Sequence, residues 1–166
     1  MTTDLFKRLA MFLVLGAVQV LILNHIHLFE VATPLLYVYF VITFRRNSPR
    51  WMVLVWSFLL GLFVDVFSNT PGLGAGCLTL IALIQPYLLE LLVPRDSVED
   101  LESSAATLGI GKFSLLCTVL VVLYCLVFFA LEAFSFFDWL SWLERAGASA
   151  ALTLLLIYAI ENFRSR

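Results

Sequence analysis

The chain has 166 residues, of which 62% are hydrophobic and 13% charged, and its net charge is −2; its mean hydropathy is +1.01. A soluble domain carries about 25% charged residues, and a disordered chain carries many charges and few aromatics, so both classes are excluded. The net negative charge also argues against a nucleic-acid binder that works by neutralising phosphates. Only 22 side chains are Lys, Arg, Asp or Glu, and where they fall is the most readable feature of the sequence.

An α-helix needs about 20 mostly apolar residues to cross a hydrocarbon core of about 30 Å. Six stretches qualify as candidates, and they leave room for a single transmembrane domain over residues 1–166. The first runs from Leu5 to Leu23 behind Lys7 and Arg8, and no small-x-small cleavage site follows it, so it reads as an uncleaved anchor. The second, Phe29 to Phe44, is broken by Pro34 and has only Leu35 to Phe44 as an unbroken apolar block. Ten residues of helix cover only about 15 Å, so this stretch is a short span or a half-span that protein must shield from lipid. The third is Trp51 to Phe67 with Asp65 inside it, and the fourth is Leu73 to Val93 with Gln85, Pro86 and Glu90. The fifth, Phe113 to Leu131, is the cleanest, and the sixth is Ala146 to Ile160. The expected fold is thus all-α, a polytopic bundle of six spans with the second short or broken.

Alternating six spans puts Lys7, Arg8, Arg45, Arg46, Arg50, Arg95, Lys112, Arg164 and Arg166 on one side and Arg145 alone on the other. By the positive-inside rule both termini are cytoplasmic. The expected location is the cytoplasmic (inner) membrane, crossed several times.

An ionisable residue within a span is a candidate functional group, because placing it there is costly. Asp65 is the clearest case. After it comes Ser68-Asn69-Thr70-Pro71-Gly72, a tight outer turn in which Asn69 or Thr70 suits an N-cap and Pro71 the first helical position. Gly72, Gly74 and Gly76 would let neighbouring backbones approach. Asp65 is either a carboxylate that ties this hairpin together, facing the N-terminal dipole of the fourth span, or a polar contact for a partner or ligand reaching it from outside. On the first reading Asp65→Asn is tolerated, since an amide oxygen still accepts, whereas Asp65→Leu destabilises the hairpin.

Pro86 frees the carbonyl of Ala82 and is expected to kink the fourth span beside Gln85, while Glu90 packs near the interface. His25, His27 and Glu30 are too few for a closed metal site, and Cys77, Cys117 and Cys125 read as packing residues. Gly109-Ile110-Gly111-Lys112-Phe113 lacks the first glycine and the Ser or Thr of a P-loop. No catalytic constellation and no cofactor or metal site is legible, so an enzyme has little support. The outer loop from Glu132 to Arg145 is rich in aromatics, with Phe134, Phe136, Phe137, Trp139 and Trp142. It reads equally as a helix lying on the outer leaflet and as a docking surface, with Phe134, Phe137 and Trp142 on a rough common face. On the inner side, Ser97 and Asp100 fit a capping box, so a short helix is expected to lead into the fifth span.

The order and spacing of these features resemble the MreD family, the rod-shape-determining integral membrane proteins of bacteria. The likeness covers most of the chain. It rests on the basic anchor span, on Thr33-Pro34-Leu35-Leu36-Tyr37-Val38-Tyr39, on the basic turn Arg45-Arg46-Asn47-Ser48-Pro49-Arg50, and on the stretch from Gly61 through Asp65 to Pro71-Gly72. The chain departs from the family pattern at the turn, where Gly72 follows Pro71 directly and Gly74 comes third. The resemblance implies a non-enzymatic component of the cell-elongation machinery that associates with MreC, and through it with MreB and the wall-synthesis enzymes. It also implies the six-helix architecture of the substrate-binding subunits (S-components) of energy-coupling-factor vitamin transporters, so a small-solute-binding subunit is the alternative. Gly61, Pro71, Gly72, Gly74, Pro34 and Pro86 are the expected structural positions. Asp65, Asn69, Thr70, Phe134, Phe137, Trp139 and Trp142 are the expected partner- or ligand-binding positions.

Overall fold

The computed structural model of the chain describes residues 2–22, 25, 32–94, 96, 103–134 and 138–166. Among these, every regular element is a helix: α1 (Thr2–Leu21), α2 (Val38–Ile42), α3 (Arg50–Ser68), α4 (Leu73–Leu92), α5 (Ala105–Leu108), α6 (Ile110–Ala133) and α7 (Trp139–Arg164). Four of them, α3, α4, α6 and α7, are long and apolar enough to cross a membrane. Asp4, Lys7 and Arg8 make α1 too charged to join them by composition alone. The outer faces of these helices carry bare apolar side chains such as Val66, Leu91 and Leu155, which are 64–82% exposed. Exposure of that kind along whole helices needs hydrocarbon around it, and the chain is a multi-pass helical membrane protein.

The helix ends follow from local chemistry. Pro49, with an extended backbone, precedes the first turn of α3. Asn69 closes that helix in the left-handed region at φ 58°, and Gly72 does the same before α4 at φ 82°. Gly109 separates α5 from α6 with φ 84°. These are conformations that glycine adopts freely and asparagine tolerates.

The centre of the bundle is the short second segment. Leu35 to Ile42 are all at most 5% exposed, and α2 packs against α1, α3, α4 and α6. The expected second span is therefore sheathed in protein rather than facing lipid, and only five of its residues are helical. It still runs the length of its neighbour α1. Gln19 holds its start at Pro34, and Asp4 meets Arg45 at its end. Those two positions on α1 lie about 22 Å apart along the axis, whereas the eleven steps from Pro34 to Arg45 would cover only about 17 Å as helix. Outside Val38–Ile42 the segment is turns and non-helical backbone.

Two expectations change here. The sixth span begins at Trp139 rather than Ala146, so Trp139, Trp142, Glu144 and Arg145 occupy the first turns of α7 and not a separate surface helix. Charged side chains interrupt an apolar run but do not interrupt a backbone hydrogen-bond ladder. The short helix before α6 exists, but its capping box is formed by Ser104 and Thr107; Ser97 and Asp100 lie outside the described residues.

Candidate functional site

Asp65 sits on the last turn of α3 and is 2% exposed. Its Oδ1 accepts from the backbone N–H of Gly74 at 2.9 Å and from the Thr70 hydroxyl at 3.1 Å. Its Oδ2 accepts from the N–H of Ala75 at 2.8 Å. Gly74 and Ala75 are the second and third residues of α4, the two whose N–H groups an N-cap side chain ordinarily satisfies. Gly72, in the N-cap position, has no side chain, so a carboxylate from the preceding helix caps α4 instead, at the positive end of its dipole. The expected roles in the turn are redistributed. Asn69 is the left-handed cap of α3, Thr70 donates to Asp65, and Pro71 lies in the turn ahead of the helix.

The close approach comes from a different glycine than expected. A Cβ on Gly61 would lie 2.5 Å from the Cα of Ala75, so α3 and α4 touch backbone to backbone there. A Cβ on Gly74 would strike Asp65 and the hydroxyl of Tyr37, whereas Gly76 faces open space. The Tyr37 and Tyr124 hydroxyls form a buried hydrogen-bonded pair beside this clasp.

Around it opens a cavity of about 600 Å³, lined among others by Tyr37, Asp65, Thr70, Phe129, Glu132 and Arg145. His25 also lines it, while His27 and Glu30 lie outside the described residues. The aromatic positions lie near this end but on different elements. Phe134 is the left-handed end of α6, at φ 44° and 90% exposed. Trp139, 63% exposed, opens α7. Trp142 is half-buried, and its indole N–H has no partner among the described residues. Phe134 and Trp142 therefore share no helical face, because α6 ends between them; Phe137 lies outside the described residues.

The sequence reading missed a second set of buried polar groups. Gln19 both donates to the carbonyl of Pro34, at 2.9 Å, and accepts from the N–H of Leu36, at 3.0 Å. Thr153 accepts from the N–H of Leu35, and Ser149 from that of Thr33. At the other end of the segment, Ser103 and Gln85 both donate to the carbonyl of Phe44. Gln85 beside Pro86 thus serves an unpaired carbonyl of the central segment, and α4 continues through the proline to Leu92. Glu161, 4% exposed, accepts from the Tyr39 hydroxyl at 2.7 Å and from the N–H of Ala105 at 2.8 Å. The signal was present as Ser149, Thr153, Ile157 and Glu161, an i, i+4 stripe down one face of α7.

Comparison of the chain with protein-family models, with curated proteins and with solved structures found no match.

Proposed function

We propose that the chain is a non-enzymatic membrane scaffold of the MreD kind, which holds a single-span partner of the MreC type within the bacterial cell-elongation complex. Through that partner it would serve MreB and the wall-synthesis enzymes, and so cell shape during peptidoglycan synthesis. The observation that carries this reading is the clasp of α3 on α4. Gly61 and Asp65, within the stretch to Pro71-Gly72 that bears the resemblance, are the residues that lock the two helices into one unit. A rigid hairpin with bare aromatics near one end suits a protein that acts by holding another, since Phe and Trp are enriched at interface cores.

The proposed topology has both termini inside, with α1, the segment through α2, α3, α4, α6 and α7 as six crossings of the cytoplasmic membrane. Its support is the grouping of cations. Arg8 bonds Ser48 and Arg45 pairs with Asp4, which puts the start of α1 and the 45–50 turn at one end, and Arg164 lines a cavity with them. Among the described cations, Arg145 lies at the Asp65 end. The test is co-expression with the MreC of the same genome and purification in mild detergent. A stable complex is expected; no complex, together with normal cell shape after deletion, overturns the scaffold.

The cavity of about 600 Å³ beside Asp65 favours a second reading, a small-solute-binding subunit of the energy-coupling-factor kind, because ligand sites span about 300–1,000 Å³. A vitamin-sized molecule retained through purification would support it.

A further inference from the structure

At the end of the bundle away from Asp65, the start of α1, the exit of the central segment and the last turn of α7 enclose a separate cavity of about 270 Å³. Its lining carries Lys7, Arg8, Arg45 and Arg164 with one carboxylate, Asp4, and a second, Glu161, lies behind the wall on the Tyr39 hydroxyl, so four cations face two acids. Asp4 meets Arg45 at 3.5 Å with both side chains partly in solvent, a loose pair that neutralises little of the positive field. One of the cations is already held in place: Arg8 donates to the Ser48 hydroxyl at 3.1 Å and lies 4.4 Å from the centre of the Phe44 ring. A guanidinium fixed in this way is a pre-organised donor for the oxygens of a phosphate. Beside the cavity, α1 turns Leu5, Phe6 and Leu9 outward, at 42–76% exposure, so an apolar surface runs from the rim toward the hydrocarbon.

We propose that this cavity seats the phosphate of an anionic phospholipid, whose acyl chains lie along the exposed face of α1. Free phosphate shares the headgroup chemistry but has nothing to place on Leu5, Phe6 and Leu9. A neutral phospholipid offers the chains, but its own cation opposes the four on the wall.

Native mass spectrometry of the full chain in mild detergent tests this, with equimolar phosphatidylglycerol and phosphatidylcholine of the same acyl length added. The first bound lipid is expected to be phosphatidylglycerol, with a preference that falls about fivefold for each cation removed. Arg8→Gln with Arg45→Gln is therefore expected to lower the preference about 25-fold, while Arg45→Lys keeps most of it. Lys7 is exposed, so Lys7→Gln gives the same reading, a fall of about fivefold, even if the double variant does not fold. Equal binding of the two lipids overturns the proposal, as does an undiminished preference in Lys7→Gln. A third arm adds inorganic phosphate alone; if it displaces the bound lipid at millimolar concentration, the site takes a soluble phosphate and the lipid assignment fails.

Discussion

The α3–α4 hairpin and the central segment from Thr33 to Arg45 solve one problem in opposite ways. Both place backbone where no water is available, and every N–H and C=O there needs a partner. In the hairpin the helices satisfy most of their own groups, and the carboxylate of Asp65 takes the N–H groups of Gly74 and Ala75 at the start of α4. The segment has little helix of its own, so its groups are satisfied from outside by the neutral side chains of Gln19, Ser149, Thr153, Gln85 and Ser103. The hairpin concentrates its polarity in one charged residue, whereas the segment spreads it over three helices, α1, α4 and α7, and a loop. The first arrangement is expected to fail abruptly under substitution and the second gradually.

The largest effect is expected at Gly61. Gly61→Val puts a side chain into the backbone of Ala75, where no rotamer change relieves the overlap. A loss of about 3 kcal/mol or more should leave no monodisperse peak on size exclusion in detergent. Asp65→Leu comes next, because it leaves two buried N–H groups and a hydroxyl unpaired at about 1–3 kcal/mol each. Asp65→Asn should also destabilise, by about 1–3 kcal/mol, contrary to the tolerance expected from the sequence. Both carboxylate oxygens accept an N–H, and an amide can offer only one of them an oxygen. Thermal unfolding in detergent orders these three variants, and an asparagine variant as stable as wild type would break the contrast between the regions.

The segment should lose stability in smaller steps. Gln19→Leu removes two bonds, at about 2 kcal/mol, and Thr153→Val one, at about 1 kcal/mol, both measurable as shifts of the unfolding midpoint. A Thr153→Val loss as large as that of Asp65→Leu would show that the segment also depends on a single partner. Smallest of all, Phe134→Ser and Trp139→Ala should change stability within about 0.5 kcal/mol, since both side chains are exposed. On the proposed function they should nonetheless weaken recovery of the partner in co-purification.

The long helices were legible because lipid imposes a length and a composition. α3 and α4 fall within one residue of the expected Trp51–Phe67 and Leu73–Val93. The start of α7 was not, because hydropathy marks where a helix is greasy rather than where it begins. Asp65 stood out as a charge within an apolar run, and its bonds to the turn follow from its place opposite a helix N-terminus. Gln19, Ser149 and Thr153 did not stand out, because neutral polar residues occur in membrane helices for several reasons. Their purpose depends on which irregular backbone lies opposite, and that is a property of the packed bundle. Glu161 was hidden for a different reason. It lies one residue past the expected end of the last span, where a carboxylate reads as interfacial.

The bonds that hold the central segment also set a timetable for making the protein. Thr33, Leu35 and Tyr39 rely on residues 116, 118 and 122 positions later in the chain. At about 5–20 residues per second, α7 leaves the ribosome roughly 6–25 s after the segment has emerged. For that interval the segment has no Ser149, Thr153 or Glu161 to bond, and bare backbone is not tolerated in lipid. The central segment is therefore packed last, and a nascent chain halted before Ala146 should expose this stretch to a protease that a finished chain resists.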